Sequence, residues 1–335
     1  MSISAKELAQ KLHISQSTVS MVLNNKPGIS EKTRSLVLEA AATYGYNFSR
    51  HLEQPPQNGQ IQFVIYKKHG MIVEDTPFWL TEGVEAACKK AGYELLITYF
   101  HEEEDIDTQI QLLTSKNCSG ILLLGTELDF QSLQPFLKLK IPMVLLDTYF
   151  EGISCDCILI NNVEGAYLAT SYLINLGFST VGYLSSSYSI GNFEERADGY
   201  YKALRHHHIS NKHPYVHRLS PSLDGAYQDM KEILKNQIKP ASAYFADNDL
   251  IAIGAIRAFK EYGYHIPKDI SVIGFDGTSI GQVLDPPLTS MEVPRSRLGE
   301  LAIKRLVQKI TLNDEVIIKT EVTPTLKIGK SVLNI

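Results

Sequence analysis

A chain of 335 residues, 44% hydrophobic and 21% charged, is long for one core and lies in the composition range of globular proteins, which excludes disordered and collagen-like classes. Its formal net charge of −5 is unevenly placed: residues 1–60 hold six Lys and Arg against four Glu, a net of +2, which leaves −7 for the remainder. A mildly basic head on an acidic body suits a protein that meets phosphates with one end only. The longest apolar runs, such as Gly120–Gly125 and Ile141–Leu146, fall far short of the ~20 residues of a spanning helix, so no membrane role is expected. The opening Met1-Ser2-Ile3-Ser4 carries no secretory pattern, and cytoplasmic location follows. Cys88, Cys118, Cys155 and Cys157 lack C-x-x-C spacing and read as buried free thiols.

Ser4-Ala5-Lys6-Glu7 has the form of a capping box, and Leu8, Ala9 and Leu12 after it predict a short amphipathic helix. His13-Ile14-Ser15 interrupts it, and Ser15 caps a second helix with Val19, Val22 and Leu23 on its inner side. Lys26-Pro27-Gly28 breaks the chain again. Ser30 then caps a third helix whose inner face is read as Thr33, Val37, Leu38, Ala41 and Tyr44, with Gly45 as its stop. Two helices joined by a tight turn make a candidate helix-turn-helix, whose second helix enters the major groove by its N-terminal part. Gln16, Ser17 and Met21 occupy that face: Gln suits adenine, Ser several partners, Met a thymine methyl, while the hydroxyls of Thr18 and Ser20 suit phosphate. Periodicity by itself favours an ordinary three-helix subdomain with polar solvent-facing residues.

Ser49 to Gly59 contains Pro55-Pro56, which cannot lie inside a regular helix because two N–H donors are missing and the rings clash with the preceding turn. From Gln60 onward β-rich runs alternate with helical patterns: Ile61–Tyr66, Trp79–Ala91, Tyr93–Tyr99, Ile106–Lys116, Gly120–Leu124 and Ile141–Leu146. The alternation restarts at Ile158–Ile160 and continues through Gly165–Leu176, Val181–Leu184, Glu195–His206, Tyr227–Lys235, Ala243–Ala246, Leu250–Tyr262 and Ser271–Phe275. Two successive doubly wound parallel units are predicted. Ligands bind beyond the carboxyl ends of such strands. Asp75 and Phe78, Asp147, Asp247-Asn248-Asp249 and Asp276 all follow strands, so polar groups converge on one rim; each could equally be a helix cap or turn residue. Carboxylates, an amide and aromatics together suit sugar hydroxyls and an apolar ring face.

The stretch Ile14-Ser15-Gln16-Ser17-Thr18-Val19-Ser20-Met21-Val22-Leu23-Asn24-Asn25-Lys26-Pro27-Gly28-Ile29-Ser30, with Thr33-Arg34 and Tyr44-Gly45-Tyr46, resembles the headpiece of the lactose-repressor (LacI) family. The body resembles that family's periplasmic-binding-protein-like domain at Asp75-Thr76-Pro77-Phe78, Glu195-Arg196 with Gly199-Tyr200, Phe245 to Asp249, Gly274-Phe275-Asp276 and Pro286 to Thr289. The resemblance implies an all-α headpiece over residues 1–46, a linker over 47–59, and a two-lobed α/β effector-binding and dimerisation domain over 60–335. The N-lobe is expected at about 60–160 plus 291–320, the C-lobe at about 161–290 plus 321–335. It places Gln16, Ser17 and Met21 on bases, and Ser15, Thr18, Ser20, Asn24, Ser30, Thr33 and Tyr46 on the DNA backbone. It makes Arg196, Asn248 and Asp276 the central effector ligands, with Phe78, Asp147 and Phe193 beside them. Met21 departs from the Arg common in the family, which exchanges a guanine contact for an apolar one. Pro55 stands where the family's hinge helix carries its minor-groove wedge; Leu52 is a candidate substitute, and an extended linker is the favoured form.

The function expected is a sequence-specific transcriptional regulator, a repressor, that binds a near-palindromic double-stranded operator as a homodimer and answers to a small-molecule effector, expected to be a sugar. No Leu heptads follow Lys330-Ser331 to support a larger assembly. Gly277-Thr278-Ser279-Ile280-Gly281 matches the nucleophile-elbow pattern of hydrolases, yet the last histidine is His265 and none follows Ser279 to serve as base. No Walker loop, G-x-G-x-x-G or H-E-x-x-H occurs, so neither enzyme activity nor a cofactor is expected. His206-His207-His208, with His213 and His217, cannot all face one ion from a helix end, and no metal is expected. A solute receptor without a transcriptional role is the remaining alternative; the attached headpiece argues against it.

Overall fold

The computed structural model describes residues 3–23, 28–44, 59–68, 77–114, 118–209, 215–312 and 314–334, with the side chains of residues 31, 42 and 77–82 outside that description. Asn24, Tyr46, Leu52, Pro55 and Asp75 lie outside the described residues. Two compact units divide the chain, residues 1–57 and 58–335.

In the first unit, helix α1 (Ala5–Leu12) opens on a closed capping box. Glu7 N donates to Ser4 Oγ at 3.2 Å, and Ser4 N donates to the Glu7 carboxylate at 2.8 Å. His13, at φ 53, ends the helix in the left-handed conformation. Helices α2 (Gln16–Leu23) and α3 (Glu31–Thr43) follow. Leu8, Ala9, Val19, Val22, Val37 and Ala41 are buried against one another. Leu38 and Tyr44, read from the sequence as inward-facing, are instead 41% and 45% exposed. Val37 and Ala41, one turn apart, already occupy the single stripe that α3 can bury. The Tyr44 ring lies under Lys11, whose Nζ is 4.4 Å from its centroid.

The second unit runs β1 (Gln60–Lys67), α4 (Pro77–Ala91), β2 (Glu94–His101), α5 (Ile106–Thr114), β3 (Cys118–Leu124), α6 (Phe130–Leu137), β4 (Met143–Leu146), β5 (Asp156–Ile160), α7 (Asn162–Asn175), β6 (Val181–Ser186), α8 (Gly191–His206), β7 (Val216–Leu219), α9 (Leu223–Lys235), β8 (Ala243–Ala246), α10 (Asp249–Glu261), β9 (Ser271–Asp276), α11 (Ser279–Val283), β10 (Thr289–Glu292), α12 (Arg295–Leu312), β11 (Lys319–Val322) and β12 (Thr325–Lys327). These strands form two six-stranded sheets, ordered β11-β5-β4-β3-β1-β2 and β12-β10-β9-β8-β6-β7. Every pairing is parallel except β10 with β12. Continuous burial along Ile61–Tyr66 is what a strand covered by helices on both faces requires.

The chain passes between the sheets three times: at 161, at 293–294 and at 323–324. The second crossing delivers α12 to the first sheet, where Leu298, Ala302, Ile303 and Leu306 share a core with Ile61, Phe63, Leu122 and Val144. Below it Asp156, fully buried, accepts from Arg305 Nε at 2.5 Å, Lys309 Nζ at 2.5 Å and Ile318 N at 3.0 Å. Arg305 also donates to Asp314 at 2.5 Å and to the Val316 carbonyl. One ion cluster thus fastens α12 and the lead-in to β11 onto the start of β5. On α8, Gly199 is fixed by packing: a Cβ there would stand 2.3 Å from the Val163 carbonyl oxygen of α7, so only glycine lets the two helices approach this closely.

Candidate functional sites

In the headpiece Ser15, Gln16, Ser17 and Ser20 are exposed and Met21 is half-buried. Ser15 caps α2 by accepting from Thr18 N at 3.0 Å, and its hydroxyl also meets Ser17 Oγ at 2.7 Å and Thr18 Oγ1 at 2.8 Å. Ser17 and Met21, four residues apart, share one face of the helix. A side chain at Gly28 would sit 3.8 Å from Met21 Cε, so the methionine folds along the turn that precedes α3. Ser30 caps α3 through Thr33 N at 3.2 Å and pairs with Thr33 Oγ1 at 2.8 Å.

The second candidate site gathers at the carboxyl ends of the sheets. Arg196 of α8 is 3% exposed, and each nitrogen of its guanidinium makes one contact. Nε donates to Asn162 Oδ1 at 2.9 Å, Nη1 to the Asp247 carbonyl at 2.5 Å, and Nη2 lies 3.4 Å from Asp276 Oδ1. Its Cζ sits 3.8 Å over the Phe275 ring and 5.6 Å from that of Phe193. A planar cation held at its edge and stacked on its face is a rigid donor platform. Arg295 reaches the same carboxylate, with Nη1 donating to the Asp276 carbonyl at 2.5 Å and Nη2 lying 3.3 Å from Oδ1.

Asp147, at the end of β4, faces this platform from the first sheet. Its Oδ2 accepts from Thr126 Oγ1 at 2.6 Å and from Asn192 Nδ2 of α8 at 3.0 Å, while its buried Oδ1 has no hydrogen-bond partner. Asp147 and Asp276 stand at φ 64 and φ 107, conformations that cost a residue with a Cβ ~1–3 kcal/mol and recur at ligand clamps. Burial pushes the Asp147 carboxyl above its ordinary range, against the pull of Thr126 and Arg196. The native state therefore holds this proton more tightly than the unfolded chain, and native stability falls as pH rises through the interval between the two pKa values. Asp147→Asn is accordingly expected to change the unfolding free energy little below pH 4 and to raise it at pH 8, by ~1 kcal/mol or more, the burial cost of one unsatisfied polar atom. Equal shifts at both pH values in thermal unfolding would refute this assignment.

The structure thus brings Arg196, Asp276 and Phe193 together and sets Asp147 across from them. Asn248 instead spends its side-chain oxygen on capping α10, accepting from Ile251 N at 2.8 Å. Phe78 lies in the first turn of α4, with its side chain outside the described residues. Asp247 and Asp249, which the post-strand rule puts on the rim, are both 1% exposed and internally bonded. Asp247 accepts from the Tyr183 hydroxyl and from Ser186 N; Asp249 accepts from Thr278 N, Thr278 Oγ1 and Ser290 Oγ. Burial raises both carboxyls to about 7, and their work is to fix loops. Asn162, Asn192, Thr126 and Arg295 are further candidate site residues that the sequence does not single out.

Residues 4–48 match the family of bacterial regulatory proteins described as the lacI family, and residues 170–332 match a periplasmic binding protein-like domain. The chain is 31% identical to the "HTH-type transcriptional repressor PurR" of Mannheimia succiniciproducens, covering 98% of each chain. It is 29% identical to the "Ribose operon repressor" of Haemophilus influenzae, again over 98% of each. A lac repressor dimer bound to operator and an anti-inducer shares the fold, with a TM-score of 0.71 at 23% identity over 99% of this chain and 100% of that one. No described helix is long and apolar enough to cross a membrane. The chain belongs to the LacI family of bacterial regulatory proteins and is a DNA-binding transcriptional regulator under the control of a small-molecule effector.

Proposed function

We propose that this regulator is a cytoplasmic repressor, not an enzyme, that binds a near-palindromic operator as a homodimer, with two headpieces in successive major-groove half-sites about 34–36 Å apart. Gln16, Ser17 and Met21 read bases in this scheme, and Ser15, Thr18, Ser20, Asn24, Ser30, Thr33 and Tyr46 hold the DNA backbone. Ser17 must leave its contact with Ser15 to do so, whereas Gln16 is exposed and has the reach for a two-pronged adenine contact. Gln16→Ala is expected to weaken binding to a selected operator by ~1–3 kcal/mol at moderate salt and to relax preference at one base position. An unchanged binding isotherm would remove Gln16 from base reading.

The effector is a sugar, bound between Asp147 on one side and Arg196, Asp276, Asn248 and Phe193 on the other, with Phe78 as a further candidate ligand. The arrangement of Arg196 carries this reading: a stacked guanidinium, fixed by one contact from each nitrogen and with further N–H donors to spare, stands beside a carboxylate and faces a buried carboxyl oxygen without a partner, a set of donors and acceptors that suits hydroxyl groups. A relative named for the ribose operon gives independent support. Thermal-shift measurements against sugars, sugar phosphates, nucleobases and amino acids test it, since a ligand at 100 times its Kd adds ~2.7 kcal/mol. A sugar hit abolished by Asp276→Ala supports the assignment; a purine hit overturns the sugar class.

A further inference from the structure

Arg295 occupies the point where the two lobes exchange chain. It opens α12 immediately after Val293-Pro294 leave β10, and the rest of that helix packs into the first lobe through Leu298, Ala302 and Leu306. Its guanidinium reaches back to the second lobe and takes Asp276 at both ends, the main-chain carbonyl at 2.5 Å and the carboxylate Oδ1 at 3.3 Å. Asp276 is the residue that needs holding, since at φ 107 it occupies backbone space that residues other than glycine rarely adopt. Val293 N donates to the same carbonyl at 3.4 Å, so the crossing strand and the Arg295 side chain converge on one oxygen. From the other direction Arg196 approaches the same Oδ1 at 3.4 Å. Both carboxylate contacts are longer than the ~2.7–2.9 Å of a strong charge-assisted pair, which leaves the carboxylate able to take a further donor.

We infer that Arg295 is a positioning residue of the effector cleft: it sets the angle of the Asp276 carboxylate and, because α12 carries it, links the state of that carboxylate to the first lobe. A ligand hydroxyl that engages Asp276 draws on the oxygen Arg295 holds, so occupancy of the cleft and the seating of α12 are energetically coupled. The effector half of this inference rests on the sugar-cleft reading; the positional half does not. Lysine at 295 keeps the charge and can reach the carbonyl or the carboxylate, but its single ammonium on a flexible stem cannot fork between the two as guanidinium does.

Hydrogen–deuterium exchange of the effector-free full chain, paired with calorimetric titration by D-ribose, tests both halves. Arg295→Gln should speed exchange of segments 274–281 and 293–299 by ~10-fold, the scale of losing one charge-assisted bond, while α9 is unchanged. Arg295→Lys should fall between the variant and the native chain, and D-ribose should bind Arg295→Gln ~10-fold more weakly than the native chain. Exchange in Arg295→Gln within about twofold of native, or Arg295→Lys as fast as Arg295→Gln, overturns the positioning role. Native D-ribose affinity in Arg295→Gln overturns the effector half. If D-ribose binds neither protein, the effector half is overturned for this probe and the exchange data decide the positioning role of Arg295 by themselves.

Discussion

Asp156→Ala should destabilise the body of the protein by ~3–5 kcal/mol, the scale of leaving buried charge uncompensated. Two cations meet this carboxylate at 2.5 Å, and both are largely buried, so neither can recover its hydration by a small rotation. The loss extends to the backbone, because Ile318 N would give up its acceptor and with it the entry to β11. Asp156→Asn keeps an acceptor for Ile318 and should lie between the native chain and Ala. A triple replacement of Asp156, Arg305 and Lys309 by apolar residues of similar volume should restore most of the stability, since the cluster's own net contribution is small beside the cost of breaking it in half. Urea unfolding midpoints of the three variants check this; an Asp156→Ala midpoint equal to the native one would show that solvent reaches the cluster.

Arg196→Ala is expected to abolish effector response, with a loss of affinity of at least ~100-fold for whichever sugar produces a thermal shift in the native chain. The guanidinium joins Asn162, the Asp247 carbonyl and Asp276, and each hydrogen bond to a charged group contributes ~1.5–3 kcal/mol. Removing it strands two acceptors and uncovers the Phe275 ring. Arg196→Lys should be nearly as damaging, because a point charge can neither fork three ways nor stack on the ring. Operator binding without effector is the control: it should persist in both variants, and a parallel loss of operator affinity would mean that Arg196 supports the fold of the lobe rather than the ligand.

What could be read in the sequence followed from how local the determining contacts are. Ser4, Ser15 and Ser30 announce helix starts because each bonds a backbone N–H only three residues on. Apart from the short α6 and the four-residue β7, the alternation of strand and helix was legible as far as Phe275. Beyond it α12 was not, although Leu298, Ala302 and Leu306 hold helical spacing, because the buried Arg305 in their midst is tolerable only through Asp156, 149 residues away. The cleft shows the same limit. Arg196 and Asp276 stood in motifs, but Asn192 enters through Asp147, 45 residues distant, and Thr126 through the same carboxylate, 21 residues distant. The post-strand rule overreached at Asp247 and Asp249, since a carboxylate that follows a strand serves a turn as readily as a ligand. Tyr44 was misplaced because an aromatic on a helix can cover itself with a lysine stem instead of entering the core.

The threefold passage between the sheets has a consequence for how the protein comes into being on the ribosome. The first lobe begins with residue 60, yet its sheet lacks an edge until residues 319–322 pair with β5, and the face that α4 begins to cover stays incomplete until α12 has been made. For most of synthesis that lobe is an exposed apolar surface awaiting chain from the far end of the message, whereas the headpiece, closed by contacts within its first 41 residues, can fold as soon as it emerges. A nascent chain stalled before residue 295 would therefore present a finished DNA-reading helix on an unfinished body. Such a product should be a substrate for chaperones and proteases and not a silent competitor for operators.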